Sequence, residues 1–178
     1  LTKDNQIVVY HDTFINNVLI KDINYTQLKN IDKDIILLTN FFEIIDTNKI
    51  KVYLDIKGNH LISKYLHELL NKSNNINLNN IYLASFNTII LQELIELNPN
   101  YQLGFITENV YENDILYQFI LKYKLKFIAF GWTTLNNTNI DFLHKNNILI
   151  YTYTCKNNNN LLFMKDFNID GIITNFKI

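Results

Sequence analysis

The stretch Lys51-Val52-Tyr53-Leu54-Asp55-Ile56-Lys57-Gly58 decides the fold class. Its apolar centre is too short for a helix, and its bounds at Lys51 and Gly58 predict a buried strand. Asp55 and Lys57 flank Ile56 at the end of that strand, so the two-residue period sets both on one side. Outward from it, similar runs rich in Ile, Tyr and Phe recur at residues 81–85, 102–106, 126–130, 148–152 and 171–174. An earlier run, Ile7-Val8-Val9-Tyr10, is closed by His11-Asp12.

Helical periods lie between these runs. Leu61, Tyr65, Leu66, Leu69 and Leu70 share one face, as do Leu91, Leu94, Ile95 and Leu97 before Asn98-Pro99 stops the helix. Ile115, Phe119, Ile120 and Tyr123 form a third stripe, Ile140, Phe142 and Leu143 a fourth, and Leu161, Leu162 and Met164 precede the last strand. Strands alternating with helices, apolar on both faces, predict a parallel sheet with right-handed crossovers, an α/β fold. Six such units after residue 50 exceed a small flavodoxin-like sheet and suit most of a TIM-type (β/α)8 barrel. Such barrels need roughly 250 residues. This chain has 178, so an incomplete barrel lacking about two strands is expected, as one domain over residues 1–178.

Composition narrows the function classes. Hydrophobic residues make up 48% and charged residues 19%, a globular balance. A formal net charge of -1 supplies no basic field for nucleic acid or anionic lipid. One Cys excludes a disulfide framework and a Cys-based zinc site. No apolar run approaches the ~18 residues of a membrane span, and no secretory segment opens the chain, which is compatible with the cytoplasm. There are 30 Asn, 28 Ile and 16 Lys, but no Arg. The bias reads as genomic, so the runs Asn74-Asn75 and Asn157–Asn160 are expected to be loops, and the sequons at Asn24, Asn71 and Asn136 carry little weight. Without Arg, a phosphate is left to Lys, a metal or backbone amides.

Folds of this kind keep their chemistry at the C-terminal ends of the strands. A His beside a carboxylate, as in His11-Asp12, is either a tuned acid or base or a surface pair on a hairpin. Asp55 and Lys57 suit a metal ligand beside a phosphate-binding ammonium, and equally a strand-end ion pair. His60 reads as a solvated helix-start residue or one close to the site, His67 and His144 as structural or surface residues, Cys155 as a small buried hydrophobe, and Trp132 as either cleft wall or core.

Taken in order, these pieces resemble the glycerophosphodiester phosphodiesterase family. Leu1-Thr2-Lys3-Asp4 followed by Val8-Val9-Tyr10-His11-Asp12 is similar to its T-K-D-G and V-V-x-H-D stretch, and Tyr53–Lys57 to its E-I-K strand. Leu83-Ala84-Ser85-Phe86-Asn87, then Asn98-Pro99 and Gly104-Phe105-Ile106, follow its S-S-F, P and G-x-L order. Residues 150–154 resemble W-T-V-N, and Asp170–Asn175 resemble V-D-G-I-I-T-D. The order holds along the whole chain, and the family fold is the eight-stranded barrel.

The resemblance implies hydrolysis of a glycerophosphodiester to glycerol 3-phosphate and an alcohol, assisted by Mg²⁺ or Ca²⁺. It implies His11 and Lys57 as catalytic residues with Asp12 orienting His11, and Asp55 as a metal ligand. Ser85, Phe86 and Tyr153 would bind substrate, Tyr153 standing where the family commonly has Trp. The family opens with strands ending in H-R-G and E-x-D, which carry a second His, an Arg and two carboxylates; by this resemblance neither strand is expected within this chain. Activity is therefore expected to need residues upstream of this chain. Two other readings stay open: an inactive remnant or binding protein, and a phosphodiesterase of the sphingomyelinase D or lysophospholipase D type. The partner expected is a small-molecule diester, while oligomeric state is not legible.

Overall fold

The computed structural model describes residues 1–73 and 75–177. Its N-terminal part is built from short elements. β1 (Val8–Val9), β2 (Phe14–Ile15) and β3 (Val18–Leu19) precede α1 (Tyr25–Ile31), β4 (Ile36–Leu37) and α2 (Leu38–Ile44). β2 and β3 pair around Asn16 and Asn17, both at positive φ (48° and 64°), which two-residue hairpins require and Asn tolerates. The run at residues 7–10, expected as a strand, contributes only β1, which pairs antiparallel with β4 in a ribbon separate from the main sheet.

From residue 52 the chain alternates regularly: β5 (Val52–Asp55), α3 (Ile62–Lys72), β6 (Ile81–Ser85), α4 (Thr88–Leu97), β7 (Gln102–Thr107), α5 (Asn113–Tyr123), β8 (Phe127–Gly131), α6 (Asn137–Lys145), β9 (Leu149–Cys155), α7 (Asn158–Lys165) and β10 (Gly171–Thr174). The six strands pair in parallel and in sequence order, β5 next to β6 and so on to β10. Sequential order marks a singly wound, barrel-like sheet rather than a doubly wound one. Among the described residues, β5 and β10 do not pair with each other, so the fold is an incomplete barrel of the TIM type.

The curl of the sheet follows from its side chains. Tyr53 on β5 and Tyr151 on β9 have ring centroids 6.3 Å apart, although four strand steps across a flat sheet would span roughly 19 Å. The concave face is filled by the fully buried Phe127, whose ring lies 5.6 Å from Tyr53, 5.7 Å from Tyr82 and 5.2 Å from Tyr151. Gly104 makes room for it, since a Cβ there would stand 2.0 Å from Phe127 Cε2. The opposite parity (Leu83, Leu103, Phe105, Ile128, Ile150) faces the helices, and Leu66, Leu91, Leu94, Leu116 and Leu143 complete the larger core between the layers.

The Asn bias serves the helices. Asn87, Asn136 and Asn157 each accept a backbone N–H from the first turn of the helix that follows, at 2.9, 2.8 and 3.0 Å. The run expected as a loop at residues 157–160 is thus the cap and first turn of α7, because an Asn side chain satisfies a free amide there. Asn74 lies outside the described residues. As read from the sequence, Cys155 is buried, His67 is a structural contact of Tyr101 (3.0 Å) and His144 pairs with Asp170 (3.0 Å). Among the described residues no helix is long and apolar enough to cross a membrane.

Candidate active site

Hydroxyl residues at the strand ends shape the mouth of the half-barrel. Ser85, Thr107 and Thr174 each accept the backbone N–H two residues ahead, from Asn87 (3.1 Å), Asn109 (3.0 Å) and Phe176 (3.1 Å), which turns the chain out of the sheet. Ser85 also donates to the carbonyl of Ile56 at 2.7 Å, while the Ile56 N–H donates to Ala84 at 2.7 Å. Ile56 is therefore held at both backbone groups. Its neighbours Asp55 and Lys57 are fixed on the concave parity that Tyr53 defines.

At the mouth the Lys57 ammonium pairs with Asp55 Oδ2 at 3.1 Å and donates to the carbonyl of His11 at 2.8 Å. An ammonium has three donors, so one remains for a ligand. Both side chains keep access to solvent, 28% for Lys57 and 33% for Asp55. Together with Tyr10, Asp12, Tyr53 and Ile62 they line a cavity of about 540 Å³ between β5 and the N-terminal segment. Burial, and then the charge of Asp55, pushes the Tyr53 phenol far above its ordinary pKa, so it stays protonated, and its buried hydroxyl has no hydrogen-bond partner among the described residues.

The structure thus brings Asp55, Lys57, Asp12 and the His11 backbone together. The His11 ring itself is 88% exposed and stands outside the cavity, its Nδ1 2.8 Å from Asp12 Oδ1. Ser85 is buried with its hydroxyl committed to Ile56 and Asn87, beneath the mouth rather than in it. Phe86 and Tyr153 meet across the mouth edge to face, with centroids 6.0 Å apart. Glu108 is a mouth residue the sequence reading did not reach. β7 runs to Thr107, and Gly104, Ile106 and Glu108 share the concave parity, so a carboxylate one step past the strand end was the available signal.

Whether these side chains suit a divalent cation follows from the donor set. Mg²⁺ and Ca²⁺ take six or more oxygen ligands, usually with several carboxylates. Of the two cavity carboxylates, Asp55 is already paired with Lys57 and Asp12 with His11, and no group of three or more His, Cys, Asp or Glu is placed to hold an ion among the described residues. The residues present do not by themselves fit such an ion.

A sequentially ordered parallel half-barrel with a cation and a carboxylate at its strand ends places charged groups where TIM-type barrels keep their chemistry. The chain belongs to the glycerophosphoryl diester phosphodiesterase family, whose model matches residues 1–177, and so by family to the phosphoric diester hydrolases. No curated protein matches it by sequence. Among solved structures it is similar to a phosphodiesterase of Oleispira antarctica in complex with the product sn-glycerol-3-phosphate, with a TM-score of 0.84 and 14% identity over 98% of this chain and 77% of that one. It is also similar to glycerophosphodiester phosphodiesterases of Parabacteroides distasonis (0.80, 17%, over 98% and 76%) and Agrobacterium tumefaciens (0.76, 12%, over 97% and 79%). At these identities the likeness shows the fold.

Proposed function

We propose that the mouth of this half-barrel binds a glycerophosphodiester through its phosphate, as the binding half of a hydrolase yielding sn-glycerol 3-phosphate and an alcohol. The carrying observation is the Lys57 ammonium, held by Asp55 and the His11 carbonyl with one donor free at the strand ends. That donor meets a non-bridging phosphate oxygen and offsets the charge that develops there as water adds to phosphorus and the alcohol leaves. Asp55 holds the Lys57 ammonium in place. His11, oriented by Asp12, is the acid or base candidate, and takes that role only when the segment around Tyr10–Asp12 presents its ring to the cavity. Phe86 and Tyr153 wall the far side, and Ser85 acts by fixing Ile56.

A divalent cation, Mg²⁺ or Ca²⁺, would take Asp55 as one ligand and the rest from outside the described residues. Hydrolysis is therefore proposed to be absent from this chain alone. Calorimetric titration of Mg²⁺ or Ca²⁺ is expected to show no saturable binding below about 1 mM, and incubation with glycerophosphocholine no product above blank. Saturable binding lost in Asp55→Ala, or measurable turnover, would contradict that half of the proposal. A second reading, phosphate-ester binding without turnover, is favoured by the closed Asp55–Lys57 pair and the outward His11 ring.

A further inference from the structure

Large apolar side chains stand exposed at the end of the fold that carries Lys57. Leu61 precedes α3, Phe86 and Ile89 bracket the start of α4, and Val110 precedes α5, so each follows the C-terminal end of β5, β6 or β7. Beside β5 the β2–β3 hairpin adds Phe14 and Val18. All six are 42–64% exposed. The hairpin is tied to this end of the molecule. Thr13 and Leu19 at its base line the cavity that holds Lys57, and the Ile20 N–H donates to the Thr13 carbonyl at 3.0 Å. Lys57 itself holds the carbonyl of His11, three residues before Phe14. Strand order therefore sets these residues along one arc, from the hairpin over β5 and β6 to β7. The opposite ends of the same three strands expose two large apolar residues, Ile50 and Leu97, set among Asn and Lys.

We propose that this arc docks on the surface of a zwitterionic lipid bilayer, with the hairpin wedged between lipids and the mouth turned toward their headgroups. Apolar side chains exposed together around a ligand mouth mark a docking surface. Three observations select a lipid surface over a protein one. The apolar tips stand on four separate loops with polar residues between them, such as Asn16-Asn17, Asn59-His60 and Asn87-Thr88. They offer separate wedges rather than the close-packed core of a protein interface, and a fluid bilayer accepts wedges without shape complementarity. The arc is continuous with the mouth at Lys57, and the headgroup layer of a phospholipid bilayer is a field of phosphodiesters. The charges of these loops are of both signs, Lys21 and Lys57 against Asp12 and Glu108, so apolar burial rather than attraction to anionic lipid holds the chain there.

The choice of a phospholipid partner rests on the phosphate reading above, and the test separates the two. Flotation with phosphatidylcholine vesicles is measured for the chain, for Phe14→Thr/Val18→Thr and for Ile89→Gln/Val110→Thr. Leu121→Gln serves as the control, since Leu121 is equally exposed but lies on α5 outside the arc. Threonine suits the strands and glutamine the helices, and circular dichroism checks each fold. The wild type is expected to float with the vesicles at low and high salt alike. Each double variant should lower the partition coefficient by about tenfold, through the lost burial of two half-exposed side chains. Binding of sn-glycerol 3-phosphate should stay unchanged in both, and Leu121→Gln should float like the wild type. No flotation of the wild type, or an equal loss in Leu121→Gln, overturns the docking surface, while Lys57-dependent binding of sn-glycerol 3-phosphate leaves the phosphate reading standing. Dimers in sedimentation velocity that the double variants abolish, without vesicle binding, overturn it in favour of a second copy of the chain. Flotation without binding of any phosphate ester overturns the phosphate reading and leaves the surface standing.

Discussion

Replacing Phe127 with Ala is expected to lower unfolding stability by about 3–5 kcal/mol, the range for removing a fully buried aromatic ring. The ring is the centre of the concave face and touches Tyr53, Tyr82 and Tyr151, which come from strands flanking both sides of β8. Its loss leaves a void under three phenols that cannot easily collapse, because each ring is anchored on a different strand. The reciprocal change is informative. Gly104→Ala places a Cβ about where Phe127 Cε2 now lies, and should cost about 1–3 kcal/mol by overpacking. Because the two sites share one volume, Gly104→Ala/Phe127→Leu is expected to be more stable than the sum of its single changes predicts. Urea denaturation of the wild type, Gly104→Ala, Phe127→Leu and the double variant measures this, and strict additivity would show that the two positions do not share that volume.

The second large effect concerns the mouth. Lys57→Met keeps the length and apolar stem of the side chain but removes the cation that bridges β5 to the N-terminal segment. A charge-assisted hydrogen bond to an anion contributes about 1.5–3 kcal/mol. The affinity for sn-glycerol 3-phosphate is therefore expected to fall by about thirtyfold, read by calorimetry at fixed ionic strength. Unchanged affinity would remove Lys57 from the phosphate site. Because Lys57 also ties His11 to β5, circular dichroism of the variant separates a lost ligand contact from a displaced N-terminal segment.

Much of this was legible in the sequence because it depends on local period. Two residues apart on a short strand, Asp55 and Lys57 had to share a face, and they form the ion pair that spacing allowed. Helix stripes such as Leu66 and Leu70, or Leu91 and Leu94, reappear as buried positions because a 3.6-residue period specifies its own buried side. What the sequence did not carry depends on contacts between distant residues. Tyr53, Tyr82, Phe127 and Tyr151 look like ordinary strand residues one at a time, and only the curl brings them together. In α1 and α2 only Leu28 and Leu38 are buried, so those helices left no stripe to read. His11 and Asp12 pair as neighbours, but adjacency does not decide on which side of the cavity wall the ring lies. Glu108 escaped notice because β7 extends past the apolar run into Thr107, a residue whose hydroxyl turns the chain.

Phosphate esters are proposed to bind at the strand ends beside Lys57. Amide resonance mapping during titration with sn-glycerol 3-phosphate tests it most directly. Shifts concentrated at Lys57, Gly58, Asn59, His11 and Tyr153, and absent in Lys57→Met, are the predicted result. Shifts gathered instead on the helical surface of α5 and α6, or spread evenly over the chain, would contradict it.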